Sequence, residues 1–207
     1  MSTTPHRAVL FDVDGVLLDS TEAHRRVWDA WSGLRGLDPA RVWALTFGRR
    51  PEDTVRDAAG HLDPAAERLV LDRLLAEEGH AVPAVAGAAP LLAALSAGSW
   101  AVVTSGDAVA VRPRFAAAGL PLPTVQVYGS DVERAKPDPE GYLLAAARLG
   151  LAPGDCVVVE DAPAGVAAGK AAGCRVIGLT STHRAEELGQ ADVLCGSLAE
   201  VRRRLGL

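Results

Sequence analysis

Residues 10–20 read LFDVDGVLLDS. The run Ala8–Phe11 leading into this stretch is short, apolar and continuous, the pattern of a strand buried on both faces. It ends in Asp12 and Asp14. Two residues apart in extended backbone, their carboxylates point to the same side. Gly15 then permits a sharp turn. In open α/β sheets, ligands bind at the carboxyl ends of the strands. Two close carboxylates at such an edge repel each other unless a cation lies beside them. Aspartate also ends strands and opens turns for purely local reasons, so this stretch alone fits a turn as well as a chemical pair.

Working outward, further short apolar runs recur at Trp100–Val103, Val125–Tyr128, Cys156–Val159, Arg175–Leu179 and Asp192–Cys195. Between them lie helical patterns at Ala88–Leu95, Val109–Ala118, Gly141–Leu149, Gly165–Ala172 and Arg184–Leu188, several closed by glycines at 98, 119, 150 and 173. Strand–helix alternation predicts an α/β fold, a Rossmann-like parallel sheet with helices on both faces. One interval breaks the rhythm. Glu22–Trp31, Pro39–Leu45, Pro51–Ala59 and Pro64–Glu78 all read as helices, three of them opening on a proline. The expectation is an α-helical cap, residues 17–84, inserted after the first strand of a core made of residues 1–16 and 85–207.

Three other strand ends carry chemistry. Trp100–Val103 runs into Thr104, Ser105 and Gly106, a hydroxyl and backbone N–H groups leading into a helix, which suits an anion. Ser and Thr also cap helices for local reasons. After Val125–Tyr128, Lys136 stands just before Pro137, outside the next helix and within reach of a phosphate, although a lone lysine also reads as a surface residue. The run CVVVE ends in Glu160 and Asp161, and paired acids at the end of a buried strand are costly without a metal or cationic partner. Mg²⁺ takes oxygen ligands and partners phosphate. Together these residues point to Mg²⁺-assisted phosphoryl transfer.

Composition narrows the class. The 207 residues are 49% hydrophobic and 23% charged, ordinary for a globular protein. The net charge of −5 and the absence of a basic stripe argue against nucleic acid; the run Arg202–Arg204 reads as a solvated helix face. No apolar stretch reaches the length of a membrane span, and MSTTPHR lacks the apolar segment of a signal peptide. Cys156, Cys174 and Cys195, an odd number without CxxC spacing, read as buried free thiols, which fits a cytoplasmic location.

Four segments, FDVDGVLLDS, VVTSGD, KPDPEGYL and VVVEDAPAG, resemble in order and spacing the four motifs of the haloacid dehalogenase-like hydrolase superfamily. The resemblance covers essentially the whole chain and is nearest to the β-phosphoglucomutase-like branch, where the text looks like bacterial sugar-phosphate and polyol-phosphate phosphatases. It implies Asp12 as the nucleophile that becomes an aspartyl-phosphate, and Asp14 as the group that protonates the leaving alcohol and then activates water. True dehalogenases of the superfamily lack that second aspartate. It further implies Thr104 with Ser105 and Gly106 on the transferring phosphoryl group and Lys136 bridging that group to Asp12. Mg²⁺ would be held by Asp12, the Asp14 backbone carbonyl and Asp161, with Glu160 as direct or water-mediated support. Ala135 replaces the glycine that many relatives carry before the lysine, a departure expected to matter little.

The implied cap contributes two features. Gly48-Arg49-Arg50 resembles a substrate-reading loop, in which Arg49 or Arg50 contacts hydroxyls or a second anion; a solvated basic loop is the plainer alternative. His24 matches the place of a β-phosphoglucomutase histidine that helps return the phosphoryl group to the sugar, although a lone helix histidine is more often a packing or surface residue. The mutase-type loop pattern matches less well, with Phe47 and Pro51 where lysine and arginine are found. Trp28, Trp31 and Trp43 read as cap core, with Trp28 a candidate lining residue of a sugar pocket. The expectation is a monomer or weak dimer hydrolysing a small sugar or polyol phosphate. Its rivals are a phosphomutase and a silent phosphate-binding module.

Overall fold

The computed structural model describes residues 7–207; the start of MSTTPHR, up to residue 6, lies outside the described residues. Among these, six strands form one sheet: β1 (Ala8–Phe11), β2 (Trp100–Val103), β3 (Val125–Val127), β4 (Cys156–Glu160), β5 (Arg175–Leu179) and β6 (Val193–Cys195). Their order is β3-β2-β1-β4-β5-β6, and all neighbours run parallel. β1 is central, with β2 on one side and β4 on the other. The strand order reverses there, and a crevice opens above the carboxyl ends at such a point.

Alternation along the strands sorts the core into two layers. Val9, Phe11, Val102, Val157, Val159 and Ile177 face one side. There they pack against α5 (Ala88–Ala93), α6 (Ala108–Ala117) and α9 (Leu198–Leu205). Leu10, Val103, Val158 and Val176 face the other side, toward α7 (Glu140–Arg148) and α8 (Pro163–Ala171). Both faces are covered, which explains why the strand sequences are continuous apolar runs.

The helices between β1 and β2 form the cap: α1 (Thr21–Arg35), α2 (Pro39–Trp43), α3 (Pro51–Ala58) and α4 (Pro64–Glu78), followed by α5. Pro39, Pro51 and Pro64 each take the first helical turn, and Asp38 and Asp63 accept from the backbone N–H of Ala40 and Ala65. α1–α4 bury an apolar cluster of their own around Trp28, Trp31, Val42, Val55 and Leu71, whereas α5 buries Ala88, Leu91 and Leu92 against the sheet. Trp28 and Trp31 meet edge to face at 5.4 Å, as the cap-core reading expects. Trp43 is only half-buried and meets Phe47 edge to face. The two strands of chain that join cap to sheet run side by side: Asp19 N–H donates to Pro83 O and Val85 N–H to Leu17 O, both at 2.9 Å.

The stretch Arg184–Leu188 departs from expectation. It forms successive turns closed by Glu187 N–H to Arg184 O and Leu188 N–H to Ala185 O, not an α-helix. Leu188 alone, fully buried, anchors them beside β5. The three cysteines are buried free thiols.

Candidate active site

Asp12 follows β1 directly, Thr104 follows β2, and Glu160 and Asp161 close and follow β4. Lys136 reaches in from the segment between β3 and α7. Its Nζ donates to Asp12 Oδ1 at 2.5 Å, to Glu160 Oε1 at 2.6 Å and to Val103 O at 3.2 Å. The structure thus joins residues up to 149 positions apart in sequence, and all of these side chains are buried.

Glu160 is fully engaged. Oε1 also accepts from the Tyr142 hydroxyl at 2.9 Å, and Oε2 accepts from the backbone N–H groups of Asp161 and Ala162. Two glycines make room for the acids. Gly165 lets α8 approach so closely that a Cβ there would collide with the Glu160 carboxylate. Gly15, at φ +81°, allows the turn after Asp14, and a Cβ there would strike the Asp161 carboxylate. The Thr182 hydroxyl donates to that same Asp161 carboxylate.

Burial, with added repulsion from Glu160 and Asp14, pushes Asp12 up to about 8 despite the attraction of Lys136. Burial, Glu160 and Asp12 likewise hold Asp161 well above the ordinary aspartate range. Burial works against the charge on Lys136, but Asp12 and Glu160 outweigh it and raise its pKa. One oxygen each from Asp12, Glu160 and Asp161 lie within 4.8 Å of one another. Three buried carboxylates therefore face a single ammonium. An all-oxygen site with this excess of negative charge fits a hard divalent cation such as Mg²⁺.

Asp14 stands apart from that cluster and lines a cavity between sheet and cap. Ser20 Oγ donates to its Oδ1 at 2.6 Å; His24 Nε2 and Arg114 Nη1 each lie 3.8 Å from the same oxygen. Burial alone would raise Asp14, but His24, Arg114 and the Ser20 hydroxyl hold it below its ordinary value. Burial and the charge of Arg114 lower His24 despite the nearby Asp14.

The loop after β2 lines the same cavity with Thr104, Ser105 and Gly106. Thr104 is buried and accepts from Gly106 N–H at 3.1 Å, while Ser105 Oγ donates to Gly48 O in the cap at 2.9 Å. The two cap arginines part company. Arg49 lines the cavity but is paired with Asp57 at 2.7 Å. Arg50 lies outside the cavity lining and reaches to the core, donating to Val132 O at 3.3 Å and Glu133 O at 3.1 Å while holding Asp53 at 3.1 Å. Trp28 and His24 also line the cavity.

Sequence reasoning overlooked Arg114, Tyr142, Ser20 and Thr182. Ser20 and Tyr142 stand within the quoted motif segments. Arg114 was detectable as a basic residue on the buried stripe of α6, between Val111 and Phe115. Thr182 lies in a loop after β5 and gives no local signal.

Residues 6–173 match the sequence pattern describing haloacid dehalogenase-like hydrolases. The chain is 42% identical over 200 residues to hexitol phosphatase A of Escherichia coli (strain K12), covering 94% of this chain and 93% of that protein. It is 37% identical to validoxylamine A 7'-phosphate phosphatase of Streptomyces hygroscopicus subsp. limoneus, covering 95% and 96%. Among solved structures, a HAD family hydrolase of Deinococcus radiodurans R1, with bound phosphate and sodium, superposes with a TM-score of 0.75 at 32% identity, covering 99% of this chain and 96% of that one.

Proposed function

Since the chain belongs to the haloacid dehalogenase-like hydrolases and is a phosphatase, we propose that it hydrolyses a small sugar phosphate or polyol phosphate through an aspartyl-phosphate on Asp12. The observation that carries this reading is the meeting of Asp12, Lys136, Glu160 and Asp161 at three strand ends, with Asp14 turned toward the cavity. The two relatives named above act, by their names, on a hexitol phosphate and on validoxylamine A 7'-phosphate.

In the first step an Asp12 carboxylate oxygen attacks phosphorus, the bond to the leaving oxygen breaks, and Asp14 delivers a proton to that oxygen. In the free site His24 and Arg114 favour ionised Asp14, the form needed as a base. The negative charge of a bound phosphate ester pushes Asp14 back toward the protonated form. In the second step Asp14 takes a proton from the water that attacks the aspartyl-phosphate, and inorganic phosphate leaves. Lys136 neutralises the transferring oxygens, Thr104 with the Ser105 and Gly106 backbone seats them, and Glu160 holds Lys136 in register. Asp12, the Asp14 carbonyl and Asp161, supported by Glu160, would hold Mg²⁺, which supplies positive charge to the phosphoryl oxygens. The cap, residues 17–84, closes over the ester and excludes bulk water while admitting the one molecule that hydrolyses the aspartyl-phosphate. The protein acts as a cytoplasmic monomer or weak dimer.

The test is phosphate release from a panel of phosphorylated sugars and polyols, with Mg²⁺ present and after chelation. Release that depends on Mg²⁺ is expected; no release from any ester overturns the reading in favour of a phosphate-binding module. A phosphomutase is the second reading, motivated by His24 lying 3.8 Å from Asp14. Equal molar phosphate release and substrate loss excludes it.

A further inference from the structure

Arg114 is only 2% exposed, yet it is not consumed by the fold. Its Nη1 lies 2.8 Å from His24 Nε2 and 3.8 Å from Asp14 Oδ1. A guanidinium can only donate, so His24 is the acceptor. Nε and Nη2 are buried and have no hydrogen-bond partner among the described residues. Leaving such donors bare is costly, so a buried arginine in this state calls for an acceptor that arrives from outside. The side chain lines the cavity on the Asp14 side, where the leaving oxygen of a phosphate ester must sit.

The charges around the cavity decide which acceptor. Arg49 is balanced by Asp57. Arg68 is balanced by Glu52, Asp72 and Asp107. Arg114 itself faces Asp14. Among the described lining residues no positive charge is left over for a second anionic group. What remains unsatisfied is hydrogen-bonding capacity, not charge.

We infer that Arg114 is a specificity-determining residue whose free Nε–H and Nη2–H groups donate to hydroxyl oxygens of the leaving alcohol close to the ester bond, so that the enzyme selects phosphate monoesters of uncharged, hydroxylated alcohols. The inference rests on the phosphatase reading above and adds the residue and the chemistry that read the alcohol. His24, which accepts from Nη1, ties this core arginine to the cap, so substrate hydroxyls, α6 and α1 meet at one point.

The test compares wild type with Arg114→Lys on a hexitol phosphate, on n-hexyl phosphate of the same carbon count, and on phosphoglycolate, which carries a second anion. Lysine keeps the positive charge beside Asp14 but loses the planar fork of donors. The wild-type preference for the hexitol ester over the hexyl ester, in kcat/KM, is expected to fall roughly a hundredfold in the variant, because a site built to bond hydroxyls discriminates strongly against their absence. Arg114→Met serves as the folding check. Its thermal midpoint is expected to be no lower than that of wild type, since it removes a buried guanidinium with bare donors.

Equal losses on the hexitol and hexyl esters overturn the inference, as does a loss concentrated on phosphoglycolate. A marked drop in the Arg114→Met midpoint also overturns it, by making the residue structural. A wild-type enzyme that cleaves hexyl phosphate but no sugar or polyol phosphate overturns the substrate reading itself, and this inference with it.

Discussion

At the strand ends, Asp12, Lys136, Glu160 and Asp161 are buried together, and three carboxylates share one ammonium. In the cap, Glu67 is equally buried but answered: Arg35 Nε donates to it at 2.8 Å and Trp31 Nε1 at 2.7 Å. The consequences for the acids are opposite. Burial raises Asp12 and Asp161, whereas Arg35 and Trp31 hold Glu67 below its ordinary value. The cap's charges complete its own structure. The core's charges are left in deficit, a deficit that the divalent cation proposed above would make up. The core site is therefore built for a ligand at some expense in stability, while the cap is built to persist and to present a surface.

The sharpest way to break this contrast is Asp12→Asn. Losing the nucleophile should lower kcat about 10⁴-fold or more. Removing one of three crowded carboxylates should leave the thermal midpoint at or above the wild-type value. Phosphate-release assays and a melting curve check both halves, and substantial residual turnover would unseat Asp12 as nucleophile. Lys136→Ala should behave differently. Activity falls about 10³-fold as the phosphoryl group loses its counter-charge. Here stability also falls, by about 3–5 kcal/mol, because buried Asp12 and Glu160 lose the ammonium between them. Denaturant titration would show it; an unchanged midpoint would mean the acids are not in deficit after all.

Arg50→Ala probes the seam between the regions. Arg50 fixes the cap loop to the carbonyls of Val132 and Glu133, beside the Ser105–Gly48 hydrogen bond. Without it the cap should close less often, and kcat/KM should drop about tenfold. Unfolding free energy should move by less than about 1 kcal/mol, since the side chain is partly solvated. A loss of stability larger than the loss of activity would make Arg50 a structural clamp alone.

The same contrast explains what could be read in advance. Strand-end residues sit at set distances from apolar runs, so Asp12, Thr104, Lys136 and Glu160 were legible from LFDVDG, VVTSGD, KPDPEG and VVVED, and the parallel sheet from the unbroken apolarity of those runs. The surroundings of Asp14 are assembled from single residues on unrelated elements: Ser20 before α1, His24 on α1 and Arg114 on α6. No local pattern ties these together; only the tertiary fold does, setting His24 Nε2 2.8 Å from Arg114 Nη1. Arg49 and Arg50 show the limit most clearly. They are adjacent in sequence and looked equivalent, yet one lines the cavity and its neighbour, at the start of α3, turns to the core.

The smallest expected effect lies inside the cap and tests the other half of the comparison. Glu67 is held ionised by Arg35, with Trp31 as second donor, below the ordinary glutamate value of 4.5. A carboxylate whose folded value is depressed contributes stability that is present above its unfolded value and is lost as pH falls through the folded one. Cap stability should therefore be flat from neutral pH down to about pH 5 and decline below about 4.5. Glu67→Gln should cost about 1–2 kcal/mol at pH 7, the worth of charge-assisted hydrogen bonds less what the amide retains. Its penalty should shrink toward zero as the wild-type carboxylate protonates. Three of the four tryptophans, Trp28, Trp31 and Trp43, lie in α1 and α2, so intrinsic fluorescence under denaturant at pH 7 and pH 4 follows the cap directly. A penalty that stays constant across that range would show that Glu67 acts through packing, and the distinction between a self-balanced cap and an unbalanced core would then rest on the core alone.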